Sequence, residues 1–232
     1  MKMKFLLIAA ASSIAGSALA QSASEGFYGQ ISTGYESASV GSGRPTISGS
    51  GYTYTGSATG TASASSAPIV VGLGYNWALD DGWTLGLGFD YSTVSQDTGS
   101  KTSDFGSQGS IGVVGSFFYR VSKRYNIALT PGFKIGDGNQ VAYLKAGYSN
   151  ETIQALVSTG AAQSNSSAAG GYVLGLGYKQ FLSGGMYWLA EAGYYGYSKP
   201  SLSSVTGTGP KFSWNVGTPG ALNLLVGVGY KF

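Results

Sequence analysis

Apolar residues alternate with small or polar residues along most of the chain. On one side of residues 69–79 the pattern places Ile69, Val71, Leu73, Tyr75, Trp77 and Leu79. A period of two predicts a β-strand with one apolar face. After Asp80-Asp81-Gly82 the same alternation resumes at Trp83, which predicts a hairpin closed by a tight turn.

Nine segments carry this strand pattern: 27–37, 67–79, 82–94, 109–121, 125–135, 140–149, 170–181, 186–198 and 220–232. Four of them contain a Gly-x-Gly-aromatic unit, at 72–75, 86–89, 175–178 and 227–230. None of these units continues into Gly-x-Gly-x-x-Gly at the start of a helix, so a phosphate-binding loop is not predicted. Glycines on one face of the strands instead leave room for large side chains inside a narrow tube.

The first twenty residues have the three parts of a secretory signal peptide. Lys2 and Lys4 form a basic region, residues 5–11 an apolar core, and Ala18-Leu19-Ala20 a small-x-small cleavage site. The apolar core is too short to span a hydrocarbon layer of about 30 Å. We therefore expect export through the Sec pathway, removal of residues 1–20, and a single mature domain at 21–232.

Composition removes several classes of function. Without Lys2 and Lys4 the mature chain has eleven basic and ten acidic side chains, so a nucleic-acid partner is not predicted. The chain has no cysteine and no histidine, which excludes disulfides, thiolate metal sites and the usual general base. Asp80 and Asp81 are adjacent, so their side chains diverge. No metal, cofactor or catalytic residue is predicted, and we expect a protein that is not an enzyme.

Two architectures fit the alternation, and they differ in what covers the apolar face. In a soluble sandwich that face is buried, whereas in an outer-membrane barrel it meets lipid and the charges lie in the lumen. Two features favour the barrel. Aromatic residues stand at strand ends (Trp77, Trp83, Tyr230 and Phe232), and very short connections alternate with long polar ones at 37–66 and 199–219.

The last nine residues, LLVGVGYKF, form a strand that ends on a bare phenylalanine. A barrel must pair its last strand with its first, because unpaired backbone is too costly in lipid. This segment resembles the C-terminal signal of bacterial outer-membrane barrels, which the barrel-assembly machinery recognises. The matching residues are Leu224, Val226, Val228, Tyr230 and Phe232.

The chain as a whole is similar to the small outer-membrane β-barrel superfamily of Gram-negative bacteria, which includes the barrel of outer-membrane protein A and opacity-type porin-like proteins. The similarity rests on the segments 131–134, 142–148, 175–178 and 227–232. It implies an all-β, up-and-down antiparallel transmembrane barrel, monomeric and located in the outer membrane, and it brings no catalytic residue.

Nine candidate strands cannot form a barrel whose two ends are both periplasmic, because such a barrel has an even number of strands. If Gly136-Asp137-Gly138-Asn139 is a periplasmic turn, residues 95–124 become an extracellular excursion and eight strands remain. The alternative takes 109–121 as a membrane strand, adds 151–158, and gives ten. We expect eight.

With eight strands, the charged residues of the strands fall on the inward side of the alternation: Glu36, Asp90, Lys134, Lys145, Lys179, Glu191 and Lys231. A charge facing lipid near the midplane would cost about 2–4 kcal/mol, which supports the assignment of this side of the strands to the lumen. We expect Lys145 and Glu191 to join an ion-pair network with Asp90 or Glu36. These residues either fill the barrel as a polar core or line a conduction path, and an eight-stranded interior favours filling.

Three functions remain open. The first is a structural or surface-interaction barrel filled by polar side chains. The second is a narrow passive channel for small solutes or ions. The third is an adhesin or receptor that binds a surface ligand through the loops 37–66 and 199–219, where tyrosine, serine and glycine would make adaptable contacts.

Overall fold

A computed structural model describes residues 24–104, 114–157, 165–205 and 211–232. The expected signal peptide at 1–20 lies outside these residues. The strands are β1 (Gly26–Val40), β2 (Arg44–Gly49), β3 (Tyr52–Thr55), β4 (Ala62–Ser66), β5 (Ile69–Ala78), β6 (Trp83–Ser92), β7 (Gln96–Asp97), β8 (Lys101–Asp104), β9 (Val114–Ile135), β10 (Gln140–Val157), β11 (Ser167–Phe181), β12 (Met186–Tyr197), β13 (Ser201–Val205), β14 (Lys211–Asn215) and β15 (Pro219–Lys231). No helix in the described part of the chain is long and apolar enough to cross a membrane.

Eight of these strands close into an antiparallel barrel. Going round the wall, the order is β1, β5, β6, β9, β10, β11, β12 and β15, and β15 returns to β1 in a register that runs from Tyr28 opposite Lys231 to Val40 opposite Pro219. The prediction of an eight-stranded, up-and-down barrel is confirmed, and the ten-stranded alternative is wrong.

Tight turns join neighbouring strands at one end of the barrel. They are the single 3-10 turns Asp80–Gly82 and Ser183–Gly185 and the turn at 136–139. Asp81 adopts the left-handed conformation (φ 57°) that lets the first of these reverse direction so sharply. Short turns mark the periplasmic end of an outer-membrane barrel, and the long connections lie at the other, extracellular end.

Strand β9 is much longer than its predicted counterpart at 125–135, and residues 114–124 are not part of a loop excursion. Residues 117–121 pair with 153–157 of β10, so both segments of the ten-strand alternative extend existing strands. The predicted start of this strand, at residue 125, is wrong because a bulge interrupts the alternation there. Tyr125 pairs with Asn150 but Ser122 pairs with Thr152, so β9 carries one extra residue there, and Lys123 adopts φ 53°.

The outer wall of the barrel is apolar. Leu73, Leu176 and Val226 are each about 60% exposed, as expected for side chains that meet lipid. Aromatic residues form two belts on this wall. The periplasmic belt contains Phe27, Trp77, Trp83, Phe133, Trp188, Tyr230 and Phe232, and the extracellular belt Tyr35, Phe89, Tyr148, Tyr172 and Tyr194.

The spacing of the two belts suits a bilayer. Phe27 and Tyr35 lie on the same face of β1. A tilted strand segment of this length rises roughly 20 Å, close to the apolar band of outer-membrane barrels.

Beyond the extracellular belt the long connections are folded. Strands β13, β14, β2 and β3 form a four-stranded antiparallel sheet in that order, β4 pairs with β1, and β7 and β8 pair with β9. We call this region the cap. The segments 37–66 and 199–219 are therefore not solvated loops throughout. The cap closes over a buried apolar cluster made of Ala38, Val40, Ala62, Phe117, Tyr119, Val121, Ile153, Ala155, Ala169, Leu202, Trp214 and Val216, with lumenal residues beneath it.

Candidate functional site

The middle of the lumen contains a buried ion-pair cluster centred on Lys145. Its Nζ donates to Oδ2 of Asp90 at 2.7 Å and to Oε1 of Glu191 at 2.6 Å. Tyr143 donates its hydroxyl to the other oxygen of Glu191 at 3.0 Å. All of these side chains are buried. The cluster joins β6, β10 and β12, none of which pairs directly with another.

A second cluster lies closer to the extracellular end and is centred on Arg124. Its Nε and Nη2 donate to Oε2 of Glu151 at 3.2 and 2.9 Å. Its Nη1 forms an ion pair with Oε2 of Glu36 at 2.5 Å. Gln96 donates to the remaining oxygen of Glu36. The structure thus separates Glu36 from the Lys145 cluster.

Sequence reasoning missed Arg124 and Glu151. Arg124 falls on the last residue of the expected excursion, and Glu151 lies two residues past the expected end of its strand. Arg124 follows directly after the bulge at Lys123 and lies in the lumen next to Asn126, on the same face of β9. The signal that could have revealed them is the pair itself, an arginine and a glutamate placed just beyond two strands that form a hairpin.

Lys179 lies on the periplasmic side of the Lys145 cluster and is also buried. Its Nζ stands over the rings of Tyr28, Tyr187 and Tyr143, at 4.1, 5.2 and 5.4 Å from their centroids. Among the described residues no carboxylate lies within ion-pair distance of it. Cation–π attraction to three rings is favourable for a cation removed from water.

Lys134 and Lys231 occupy the periplasmic mouth. Each is the penultimate or last residue of its strand, on the inward side of β9 and β15, and each is only partly buried. They belong to neither buried cluster.

Inward glycines make room for the tyrosines of the lumen, as the Gly-x-Gly-aromatic units predicted. A Cβ at Gly177 would overlap the ring of Tyr143, and a Cβ at Gly229 would overlap the ring of Tyr187. Gly74 and Gly88 face the hydroxyl of Tyr28, whose oxygen would lie 2.6 and 2.7 Å from their Cβ atoms.

Three cavities of about 10 Å³ each follow one another along the lumen. The first two share Tyr143 and Lys179, and the next pair share Asp90 and Lys145. A cavity of this size holds about one water molecule.

The cap sheet has two unlike faces. Leu202, Trp214 and Pro45 are buried on the face toward the barrel, and register places them in one row across β13, β14 and β2. The opposite face carries rows of hydroxyl and amide groups, namely Ser201 and Asn215, then Ser203, Ser213, Thr46 and Thr55, then Ser48 and Thr53. Arg44 and Lys211 are the cations of this face, and both are exposed. None of the four strands contains an acidic residue.

Outside the membrane, an ion pair and a pair of hydrogen bonds stabilise connections. Nε of Arg120 in β9 lies 2.7 Å from Oδ1 of Asp97 in β7, on the exposed surface of the cap, and this contact raises the pKa of Arg120. In the periplasmic turn, hydrogen bonds from the side chain and backbone of Asn139 hold the pKa of Asp137 below its usual value.

Comparison with solved structures finds similarity to several outer-membrane proteins. Outer-membrane protein AlkL, determined in DMPC bilayers, is 12% identical and superposes with a TM-score of 0.50 over 93% of this chain and 95% of that one. The outer-membrane protease OmpT of Escherichia coli is 10% identical, with a TM-score of 0.49 over 93% of this chain and 99% of its own. Ail of Yersinia pestis, in complex with a heparin analogue, is 16% identical, with a TM-score of 0.41 over 89% of this chain and 99% of its own.

The chain has the fold of a small outer-membrane β-barrel. At these identities the likeness concerns the fold alone, and the neighbours include a protease as well as barrels of other kinds. No protein-family model matches the sequence, and no curated protein matches it significantly.

In this outer-membrane barrel, all five residues of the expected assembly signal face outward. Leu224, Val226, Val228 and Tyr230 are exposed on β15, the strand that closes the barrel, and Phe232 is exposed directly after it. The Phe232 backbone N–H donates to the carbonyl of Phe27 at 2.9 Å, so the last residue is paired with the first strand. Recognition of these five outward residues by the assembly machinery stays a prediction.

The described residues contain no group of three or more acidic, histidine or cysteine side chains that could hold a metal ion. The buried carboxylates Asp90, Glu191 and Glu151 are each held by a cation.

Proposed function

We propose that this protein is a non-conducting, non-catalytic outer-membrane barrel that acts at the cell surface through its cap. The observation that carries the proposal is the contrast between the two halves of the molecule. The membrane half is filled by its own side chains, whereas the extracellular half is folded into a sheet with one solvent-facing polar face.

The filled lumen argues against the alternative of a passive channel. A solute would have to pass the Lys145 cluster, the Arg124 cluster and then the apolar cluster beneath the cap. Removing one partner from a buried ion pair is costly, since the other charge is left unpaired in a poorly solvated interior. The three cavities leave room for single water molecules and for nothing larger.

The polar face of the cap sheet supports a surface-interaction role. A flat array of hydroxyl groups can hydrogen-bond the hydroxyl and sulfate or carboxylate groups of a polysaccharide. Arg44 and Lys211 add positive charge that no acidic residue of the sheet neutralises. We therefore propose an anionic polysaccharide as the partner, recognised by hydroxyl groups together with two cations.

Single-channel recording tests the first half of the proposal. Protein folded in a planar bilayer should give no discrete conductance steps, because the lumen is occupied. Steps that change in size when Lys145 is replaced by Met would overturn the filled lumen and establish the channel.

Binding of a model polyanion tests the second half. The folded protein in detergent should bind dextran sulfate and not neutral dextran, with an affinity that falls as salt is raised. The double variant Arg44→Gln/Lys211→Gln should bind several-fold more weakly. The exposed cap variant Arg120→Gln is the matched control and should bind as the wild type does. Equal binding by all three proteins would remove the sheet face as the interaction surface.

A further inference from the structure

A groove of about 440 Å³ opens on the outer wall of the barrel, separate from the lumen. It runs across four neighbouring strands, β11, β12, β15 and β1, at the level of the extracellular aromatic belt. Its volume lies within the range of small-molecule binding sites, roughly 300–1,000 Å³. The lining consists of Ser37, Ser39, Tyr172, Tyr194, Gly196, Tyr197, Thr218, Pro219, Gly220, Ala221 and Leu222.

The register of the four strands produces this groove. Tyr172 pairs with Gly196, Gly196 with Gly220, and Gly220 with Ser39. These positions all point outward. On three consecutive strands the outward groups are only the hydrogens of Gly196 and Gly220 and the hydroxymethyl group of Ser39, whereas the rest of the wall carries large side chains. The result is a trough one row high.

Large side chains enclose the trough on two sides. The ring of Tyr172 leans over Gly196, where a Cβ would lie 2.7 Å from its Cζ. The next row toward the membrane contains Tyr194 and Leu222, paired with each other and each about half exposed. Leu222 also pairs with Ser37. The floor is therefore backbone and the walls are aromatic and aliphatic.

The chemistry of the lining is neutral and rich in hydroxyl groups. The hydroxyl groups come from Ser37, Ser39, Thr218, Tyr172 and Tyr194, and none of the lining residues carries a charge. Such a site suits a sugar ring, which stacks an apolar face on an aromatic ring and hydrogen-bonds through its edge. It offers no cation to a phosphate.

The lower wall of the groove is continuous with the lipid-facing belt. Below Tyr194 and Leu222 the same strands present Leu174, Leu176, Leu224 and Val226, all exposed to lipid. An occupant can therefore lay alkyl chains along this belt while its head group enters the trough.

From this geometry we propose that the groove is a binding site for an outer-leaflet glycolipid, with its sugar in the trough beside Tyr172 and its chains on the belt below. The site is independent of the lumen and of the cap sheet, and it stands whether or not the proposed surface function is correct.

Native mass spectrometry of the protein released from lipid nanodiscs tests the proposal. The discs contain phosphatidylcholine and a minor fraction of diglucosyl diacylglycerol with the same acyl chains. The wild-type protein should retain one glycolipid molecule in preference to phosphatidylcholine. Retention of both lipids in proportion to their abundance, or of neither, would overturn the proposal.

Variants locate the lipid. Ser39→Leu fills one end of the trough and loses only a long hydrogen bond to the Gly220 carbonyl (3.4 Å), so glycolipid retention should fall about fivefold. Tyr172→Leu should lower it similarly by removing the stacking ring. Thr33→Leu, an exposed outward position on the same strand β1, is the control and should retain the lipid. A mobility shift on heating checks that each variant is folded, and unchanged retention by folded Ser39→Leu would contradict the site.

Discussion

The ammonium nitrogen of Lys145 lies 2.7 Å from Oδ2 of Asp90. Lys145 belongs to β10 and Asp90 to β6, and these two strands do not pair with each other. Strand β9 stands between them in the wall, and Glu191 completes the contact from β12 on the other side. Backbone hydrogen bonds hold each strand only to its two neighbours. The Lys145 cluster instead ties together three strands that the ladder leaves separate.

Replacing Lys145 by Met should destabilise the barrel strongly. Two carboxylates would then share the interior with no cation between them, and breaking a buried pair costs about 3–5 kcal/mol. Urea unfolding in lipid vesicles measures this loss of unfolding free energy. Arg120→Met breaks the exposed pair with Asp97 and should cost less than about 1 kcal/mol. Equal losses in the two variants would mean that the Lys145 cluster is hydrated rather than buried.

A methyl group at Gly177 should be poorly tolerated. Its Cβ would occupy the space of the Tyr143 ring, which in turn holds Glu191, so Gly177→Ala should cost about 1–3 kcal/mol of unfolding free energy. Gly29→Ala is the matched control, since its Cβ would lie 4.0 Å from the nearest atom, in the ring of Phe232. If both variants unfold at the same urea concentration, the ring of Tyr143 does not occupy the space beside Gly177.

A substitution at the bulge should stabilise the barrel, in contrast to the two substitutions above. Lys123 has φ 53°, a region that costs a non-glycine residue about 1 kcal/mol or more. Lys123→Gly should therefore raise the unfolding free energy by up to about 1 kcal/mol, while Lys123→Val should lower it by about 1–2 kcal/mol. The same urea titration measures both changes. A gain with Val would show that the bulge is absent in the membrane.

The membrane half of the fold could be predicted from sequence because lipid imposes the period of two on every spanning strand. The same alternation predicts that Glu36, Asp90, Lys145, Lys179 and Glu191 lie on the inward side, because charges occur on only one face of each strand. These five side chains are buried. From the alternation we expect Lys145 and Glu191 in a network with Asp90 or Glu36, and they meet Asp90. The choice of Asp90 over Glu36 could not be predicted, because partners across the lumen depend on the stagger of strands far apart in sequence.

Arg124 shares the inward parity of Asn126, but the extra residue at the bulge reverses the parity of the residues before it. The regular alternation therefore ends at this point, and Arg124 falls in the expected excursion. The cap escaped prediction for another reason. Above the membrane, water replaces lipid on the outer face, and the strands of the cap are short and rich in serine, threonine and glycine. Only a few positions, such as Pro45, Leu202 and Trp214, alternate with them, and their common row appears only when four strands are brought together.

Deletion of Phe232 separates assembly in the cell from stability of the folded barrel. The residue gives the folded protein one backbone hydrogen bond, to Phe27, and a ring contact with Tyr230. Its removal should therefore cost only about 1–2 kcal/mol of unfolding free energy in vesicles.

If the outward residues of β15 are the signal that the assembly machinery recognises, the same deletion should sharply lower the amount of heat-modifiable protein in the outer membrane. Phe133→Leu changes an exposed aromatic of the same belt on β9 and should leave that amount unchanged. Equal losses in the two variants would assign the defect to the belt and not to the end of the chain.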